Sequence, residues 1–465
     1  MKLHRILLIG LVTRILLIPF FAHPFDVYAW YTICQSILQE GPYVVSYFPP
    51  MMFYTLGPIA YLYSWFSKAF SIEPIPMKSV PPELELGTSW GIEVVPGMLF
   101  NTLVKIPFLI SDLVVAILLY KIIADVTSNR TSASRASALW FLNPYLIWIS
   151  SGWGMFDSIP ALLSLASFYL LLKKKIGLSS ASLAGAVAYK LYPLLFLVPT
   201  AFYIRRTLDK PLFQRTIVKF LSVFVVASAI LFLPTLNMIL GFSHSLLVGT
   251  NLGDIGGGLT YWSIALMVPI EGNTAIATSA ALGILFLILV FWEISKTKFE
   301  HEIQALASTQ LACILAIFLS YRIIPEQFFV WALPYIIILS STGKVEEILY
   351  RAPSLIALIY SITNALLPFY MLPLTPWIGD QLAQTIRIIQ PLRIRAAGPE
   401  GTLAISTPRI CIGSVFLTVL GVTFSILMVI ILIESFSKER RKILTNLLPG
   451  RLNTILCKVK LQVED

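Results

Sequence analysis

Long apolar runs separated by short polar turns dominate the chain. Stretches of roughly 20 mostly apolar residues, the length a helix needs to cross a bilayer, fall at about 5–21, 98–124, 133–151, 157–172, 216–236, 275–295, 303–320, 325–341, 352–370 and 409–435. The segment 178–204 is apolar too, but it runs from Lys173-Lys174-Lys175 to Arg205-Arg206. Basic clusters collect on the cytoplasmic side of membrane proteins, so a segment flanked by two of them crosses an even number of times. It is predicted to form two short helices that turn back at Tyr189-Lys190-Leu191-Tyr192-Pro193. Each half has about 13 residues, against the 17–25 of a full span. Irregular backbone at that depth needs protein or a water-filled cavity around it, which points to a cavity near Lys190. The pattern predicts an all-α polytopic membrane protein with about 10–12 transmembrane helices. Residues 1–435 would form one transmembrane domain, followed by a basic cytoplasmic tail over 436–465.

Charge fixes the expected orientation. With the N-terminus inside, the cytoplasmic segments collect 24 of the 34 Lys and Arg residues, seven of them in the tail. This asymmetry puts both termini in the cytoplasm. The other side is then built from 22–97, 237–274 and 371–408. Pro49-Pro50 opens a tyrosine-rich apolar stretch to Phe70. A crossing there would reverse every later loop, so 50–70 is read as a helix lying at the outer interface, where Tyr and Trp anchor. The stretch 259–270 is read the same way.

Composition agrees. The 465 residues are 57% hydrophobic and 12% charged, with a mean hydropathy of +0.82. Soluble domains carry about 25% charged residues, so this chain cannot coat a water-exposed surface. The net charge of +10 reflects the inward bias of Lys and Arg and does not indicate a nucleic-acid partner. Met1 to Ala22 has a basic start and an apolar run, with no small-residue cleavage site after it, and is read as the first span. Cys34, Cys313, Cys411 and Cys457 show no metal-site or disulfide spacing. Walker A, GxSxG and HExxH motifs are absent, which argues against cytosolic nucleotide and metalloprotease chemistry.

Several polar residues stand out against this background. Asp26 follows the first span in His23-Pro24-Phe25-Asp26-Val27-Tyr28-Ala29-Trp30, ahead of Tyr43, Tyr47 and the Phe48-Pro49-Pro50 turn. A carboxylate among aromatic rings at a membrane face suits a general base for an acceptor hydroxyl, and suits equally a solvated helix cap. Lys105 and Asp112 lie two helical turns apart and share a face, as an ion pair or as site residues. Intramembrane charges usually face a bundle interior or a cavity. Asp157, in Trp153-Gly154-Met155-Phe156-Asp157, opens a helix and is a plausible N-cap. Arg322, Glu326 and Gln327 flank a further turn, and an Arg there could hold phosphate oxygens or simply pair with Glu326. Arg14, inside the first span, is expected to snorkel or to pair within the bundle. In the predicted topology Asp26, Lys105, Asp157, Lys190 and Arg322 all fall at the outer ends of spans, against the inward bias for basic residues.

The order and spacing of these motifs resemble the GT-C superfamily of polytopic glycosyltransferases, especially members akin to the glycosylphosphatidylinositol and dolichol-pathway mannosyltransferases. The resemblance runs over most of residues 1–340. It rests on Asp26 in the first outer loop, Tyr47-Phe48-Pro49-Pro50, Lys105-Ile106-Pro107 with Asp112, Trp153 to Asp157, Tyr189 to Pro193, and Glu326 to Pro334. It implies Asp26 as the catalytic residue and a polyprenyl-phosphate sugar as donor. The neighbours of Asp26 are Phe25 and Val27, so the second acid that some members carry is missing and no metal or cofactor is expected.

The resulting expectation is an inverting transfer of a hexose, mannose by the resemblance, to a lipid- or protein-linked acceptor at the outer face. The location would be the cell membrane, or the endoplasmic reticulum membrane in a eukaryote. Asp26 would be the base. Arg322, Lys105 and Lys190 would hold the donor phosphate, and Tyr28, Trp30, Tyr47, Trp153, Asp157, Glu326 and Gln327 would line the substrate. The rivals are a transporter or flippase of a lipid-linked or anionic substrate, which broken helices and intramembrane ions also suit, and an assembly subunit without chemistry of its own.

Overall fold

A computed structural model describes residues 2–41, 51–84, 92–233, 257–268, 270–297, 301–389 and 412–436. Tyr47, the Phe48-Pro49-Pro50 turn, residues 390–411 and the basic tail lie outside the described residues.

The fold is all-α. In chain order its helices are α1 (Leu3–Leu17), α2 (Pro24–Glu40), α3 (Met51–Phe70), α4 (Met98–Thr127), α5 (Arg130–Phe141), α6 (Pro144–Ile147), α7 (Ser158–Leu172), α8 (Ile176–Tyr189) and α9 (Leu197–Thr207). They continue as α10 (Lys210–Phe232), α11 (Gly272–Lys296), α12 (Glu302–Ser320), α13 (Leu333–Ser341), α14 (Ile348–Ala365), α15 (Leu367–Tyr370), α16 (Thr375–Ile389) and α17 (Ile412–Phe436). Among the described residues, α4, α10, α11, α12 and α17 are long and apolar enough to cross a membrane, and shorter apolar helices lie at α7, α8 and 326–341.

The predicted span 133–151 is not one helix. After α5, Asn143 leaves helical geometry and its side chain accepts the Tyr145 N–H at 2.9 Å. Pro144 then starts the next helix, where its missing N–H costs nothing. A π-helical turn, Trp148–Trp153, follows. Such turns are rare and gather at functional sites. Gly154 ends it at φ +96°, and a Cβ there would meet Lys105 Cε at 2.8 Å and Val27 Cγ2 at 3.0 Å. Only glycine fits both the backbone and the space.

The 178–204 segment breaks as the charge pattern predicts. α8 stops at Tyr189, Lys190 is extended (φ -152°, ψ 144°), a 3₁₀ turn covers Tyr192–Phe196, and α9 follows. The stretch 51–70 is one 20-residue helix containing Pro58, with Met52, Phe53, Leu56, Ile59, Ala60 and Tyr63 buried. The helix expected over 259–270 does not appear among the described residues 259–268. They hold a 3₁₀ turn, Tyr261–Leu266, whose Ser263 carbonyl accepts from Thr418 on α17 at 2.9 Å.

Arg14 is wholly buried and pairs with Asp112 (Nε to Oδ2, 3.2 Å), joining α1 to α4. Ser150 donates to the same Oδ2 at 2.6 Å, and the guanidinium stacks on Phe141. Removing one partner of such a pair typically costs about 3–5 kcal/mol, because the other charge is left buried. Beside the main core lies a second apolar cluster. It joins Met77, Val80, Leu84, Ile92 and Val95 to Phe369, Leu372, Leu382 and Ile386. Ile75–Pro76 pairs antiparallel with Val94–Val95, and Arg387 bridges to Glu83. The beginning of the 371–408 segment thus docks on the segment that follows α3.

Candidate active site

The site is built from chain breaks. Pro24 starts α2, so His23 is its N-cap and Asp26 falls in the first turn, where the helix dipole favours a carboxylate. The end of the π-turn swings Trp153 against this helix start. Its indole Nε1 donates to Asp26 Oδ2 at 2.6 Å, and His23 Nδ1 lies 2.9 Å from the same oxygen. The backbone ties the pieces together. The His23 N–H donates to the Trp153 carbonyl (2.9 Å), the Ala22 N–H to the Tyr370 carbonyl (2.8 Å), and Trp30 Nε1 to the Gly154 carbonyl (3.1 Å). The His23 ring stacks on Trp153 at 4.4 Å, with Tyr370 edge-on at 5.4 Å.

Asp26 is one-fifth exposed. Burial pushes its carboxyl up. The His23 imidazole, the Trp153 N–H and the Lys190 ammonium outweigh that, and its net pKa lies below the usual carboxylate value. Asp26 is therefore an anion at neutral pH. Both close contacts engage Oδ2; Oδ1 takes part in neither.

A second charged group stands alongside. Lys190, released from α8 by its extended backbone, sits 3.4 Å from Asp157 Oδ1 and is 18% exposed. Phe156, Phe328 and Trp331 surround its ammonium at 4.8, 4.7 and 5.5 Å, within the range of a cation–π contact. Trp331 Nε1 donates to Asp157 Oδ1 at 2.7 Å and its ring stacks on Tyr192 at 4.2 Å. Asp157 stands at the N-cap position of α7, as expected, but it is fully buried and its side chain makes no cap hydrogen bond; the carboxylate serves Lys190 and Trp331 instead.

The other candidates divide. Lys105 is fully buried and its ammonium faces four carbonyls: Phe21, Ile18 (3.2 Å), Ser151 (3.0 Å) and Gly152 (3.2 Å). It ties the end of the first helical segment to the π-turn, a geometry that does not fit a phosphate ligand. Asp112 belongs to Arg14. Glu326 is buried, with Oε1 accepting from Asn364 at 2.6 Å and its carbonyl from Tyr145 at 2.6 Å. Gln327 is 9% exposed beside it. Arg322 is buried ahead of the short strand Ile323–Ile324. Trp30 is wholly buried as a clamp on Gly154 and packs edge-on to Phe156. Tyr28 packs against the second apolar cluster. Sequence reasoning missed His23, Trp331 and Tyr370 as site residues. The spacing of His23 three residues before Asp26, across a proline, was the available signal for the first. No local pattern marks Tyr370.

Comparison with known proteins adds an independent observation. The family model for PIG-U, a GPI transamidase subunit, matches residues 82–250. GPI mannosyltransferase 1 of Dictyostelium discoideum is 34% identical over 125 residues, covering 26% of this chain and 27% of that protein. The Schizosaccharomyces pombe protein of the same name is 32% identical over 122 residues (26% and 32%), and that of Debaryomyces hansenii 29% over 129 (25% and 31%). The matches thus span about a quarter to a third of these relatives. By sequence this chain is similar to PIG-U and to GPI mannosyltransferase 1, in line with the GT-C type of polytopic membrane protein that its motifs resemble.

Proposed function

We propose that this protein is a mannosyltransferase that moves the sugar from a polyprenyl-phosphate donor to a lipid- or protein-linked acceptor at the outer face of its membrane. The observation that carries the reading is the arrangement at Asp26. One carboxylate oxygen is fixed by two ring nitrogens, the other is not engaged by them, and a partly exposed lysine acts on the same carboxylate. In the reaction the acceptor O–H passes its proton to Asp26 as the oxygen attacks the anomeric carbon. The bond from that carbon to the phosphate breaks, and the electron pair leaves with the phosphate. Attack opposite the leaving group inverts the sugar. Lys190 stabilises the charge that develops on the phosphate, and Asp157 and the three rings hold Lys190 in place. Arg322 remains a second candidate for the phosphate, while Lys105 is withdrawn from that role. The similarity to GPI mannosyltransferase 1 supports mannose as the sugar. The test is transfer from a synthetic polyprenyl-phosphate mannose by the purified chain, with Asp26→Asn as the control.

The match to PIG-U favours a second reading, an assembly subunit without its own chemistry. The two readings separate on Asp26. An assembly role tolerates Asp26→Asn and depends on surfaces for partners, whereas a transferase loses turnover in that variant while its insertion and folding persist.

A further inference from the structure

His23 occupies an unusual position. Its Nδ1 lies 2.9 Å from Asp26 Oδ2 and 3.2 Å from the backbone nitrogen of Asp26. One ring nitrogen cannot serve both. If it lacks a proton it can accept the Asp26 N–H as a helix cap; if it carries one it donates to the carboxylate. The contact to the carboxylate is the shorter, and a hydrogen bond to an ionised group is about twice as strong as a neutral one. The groups around the ring are consistent with the donor state. Asp26 on its own helix is the facing charge. The π-turn contributes the Trp153 ring, stacked at 11° to the imidazole, and α15 contributes the edge of Tyr370. The stack fixes the ring plane, and the Trp153 N–H meets the same Oδ2.

We propose that His23 is a positioning residue for Asp26: its Nδ1 proton and the Trp153 indole N–H together lock Oδ2, so that Oδ1 alone is presented to the acceptor hydroxyl. The inference rests on the reading of Asp26 as the base. It gives the residue at the helix N-cap position a catalytic consequence in place of capping, since a carboxylate free to rotate would offer its lone pairs to the acceptor in many orientations. Holding a reacting group in one geometry is among the larger contributions an enzyme makes.

Two variants of the full-length chain in detergent distinguish this from simple packing. His23→Asn can donate to Oδ2 from its amide and accept the Asp26 N–H with its carbonyl, but it lacks the ring. His23→Phe keeps the stack on Trp153 and lacks the donor. The inference expects His23→Phe to lose kcat by about tenfold or more, the worth of one charge-assisted hydrogen bond, at little change in KM, and His23→Asn to retain most of kcat. A packing role predicts the reverse order, and that order overturns the proposal. A second readout does not depend on turnover. The chain has four histidines, so ¹⁵N-histidine NMR can assign the His23 signal by its loss in His23→Phe. An Nδ1–H protected from exchange is expected in the unmodified protein and lost in Asp26→Ala. Its presence without any hexosyl transfer leaves the His23–Asp26 bond standing and removes the transferase reading. An Nδ1 without a proton in the unmodified protein overturns the positioning role.

Discussion

Trp153 and Asp26, 127 residues apart in the chain, meet through a 2.6 Å hydrogen bond from the indole Nε1 to Oδ2. Two breaks in helical geometry make it: the Pro24 helix start that exposes Asp26, and the π-turn ending at Gly154 that aims the ring. A hydrogen bond to a charged group is worth about 1.5–3 kcal/mol. Trp153→Phe keeps the ring and removes the donor, and should lower kcat by roughly ten- to a hundredfold, at 1.4 kcal/mol per decade. Steady-state kinetics on the purified variant checks this, and unchanged kcat would show that the bond has no part in turnover.

Two lysines that look alike in the sequence should behave differently. Lys190→Met removes the partly exposed cation and should raise the donor KM and lower kcat together, since a cation on the leaving phosphate acts in both binding and transition state. Lys105→Met instead orphans buried carbonyls, each costing about 1–3 kcal/mol. It should lower the melting temperature in detergent while the surviving protein keeps its donor KM. If Lys105→Met shifts donor KM and leaves the melting temperature unchanged, the assignment of the two lysines is reversed.

Acid should act on the Asp26 contacts late. Its pKa is depressed in the fold, so the stabilisation it supplies is fully present above the unfolded carboxylate value of about 3.9 and is lost as pH falls through the lower folded value. The melting-temperature gap between the unmodified protein and Asp26→Asn should not close between neutral pH and about 4, and should narrow through Asp26 protonation only below that. A gap that closes at mildly acidic pH contradicts the stated direction.

The proposed topology has its own check. Asn129-Arg130-Thr131 is the only Asn-x-Ser/Thr site in the chain, and Asn129 caps α5 by accepting the Thr131 and Ser132 N–H groups. With this turn in the cytoplasm, Arg130→Cys should resist membrane-impermeant thiol reagents applied from outside and react after permeabilisation. Labelling of intact cells would invert the orientation.

Much of this architecture was legible because bilayer physics is strict. Hydrophobic length marked the five helices long and apolar enough to cross, α4, α10, α11, α12 and α17, and the basic clusters on both sides of 178–204 pointed to the break at Lys190. Asp26, Lys190 and Asp157 were visible as charges where an apolar chain should not carry them. The partners of those charges were not legible. Lys105 and Asp112 share a helix face, yet Asp112 pairs with Arg14 from α1 and Lys105 with carbonyls just beyond the end of α1 and in the π-turn, because the pairing depends on which helices pack together. The interruption at Asn143-Pro144 was hidden inside a run whose hydropathy reads as one span. Tyr370 reaches the site only through the packing of α15 beside the helix start at Pro24, a relation no local pattern encodes.

The central claim is that Asp26 is the base of a sugar transfer, and replacing it with Asn tests this most directly. Asn keeps the size and can still accept the Trp153 N–H, but it cannot take a proton. General-base catalysis contributes about 10²–10⁴-fold. Asp26→Asn should therefore insert and purify normally and lose that much kcat in mannosyl transfer from a synthetic polyprenyl-phosphate mannose, with the donor KM little changed and chelators without effect on either protein. Full activity in Asp26→Asn, or movement of the lipid-linked substrate across liposomes without any transfer, would contradict the account.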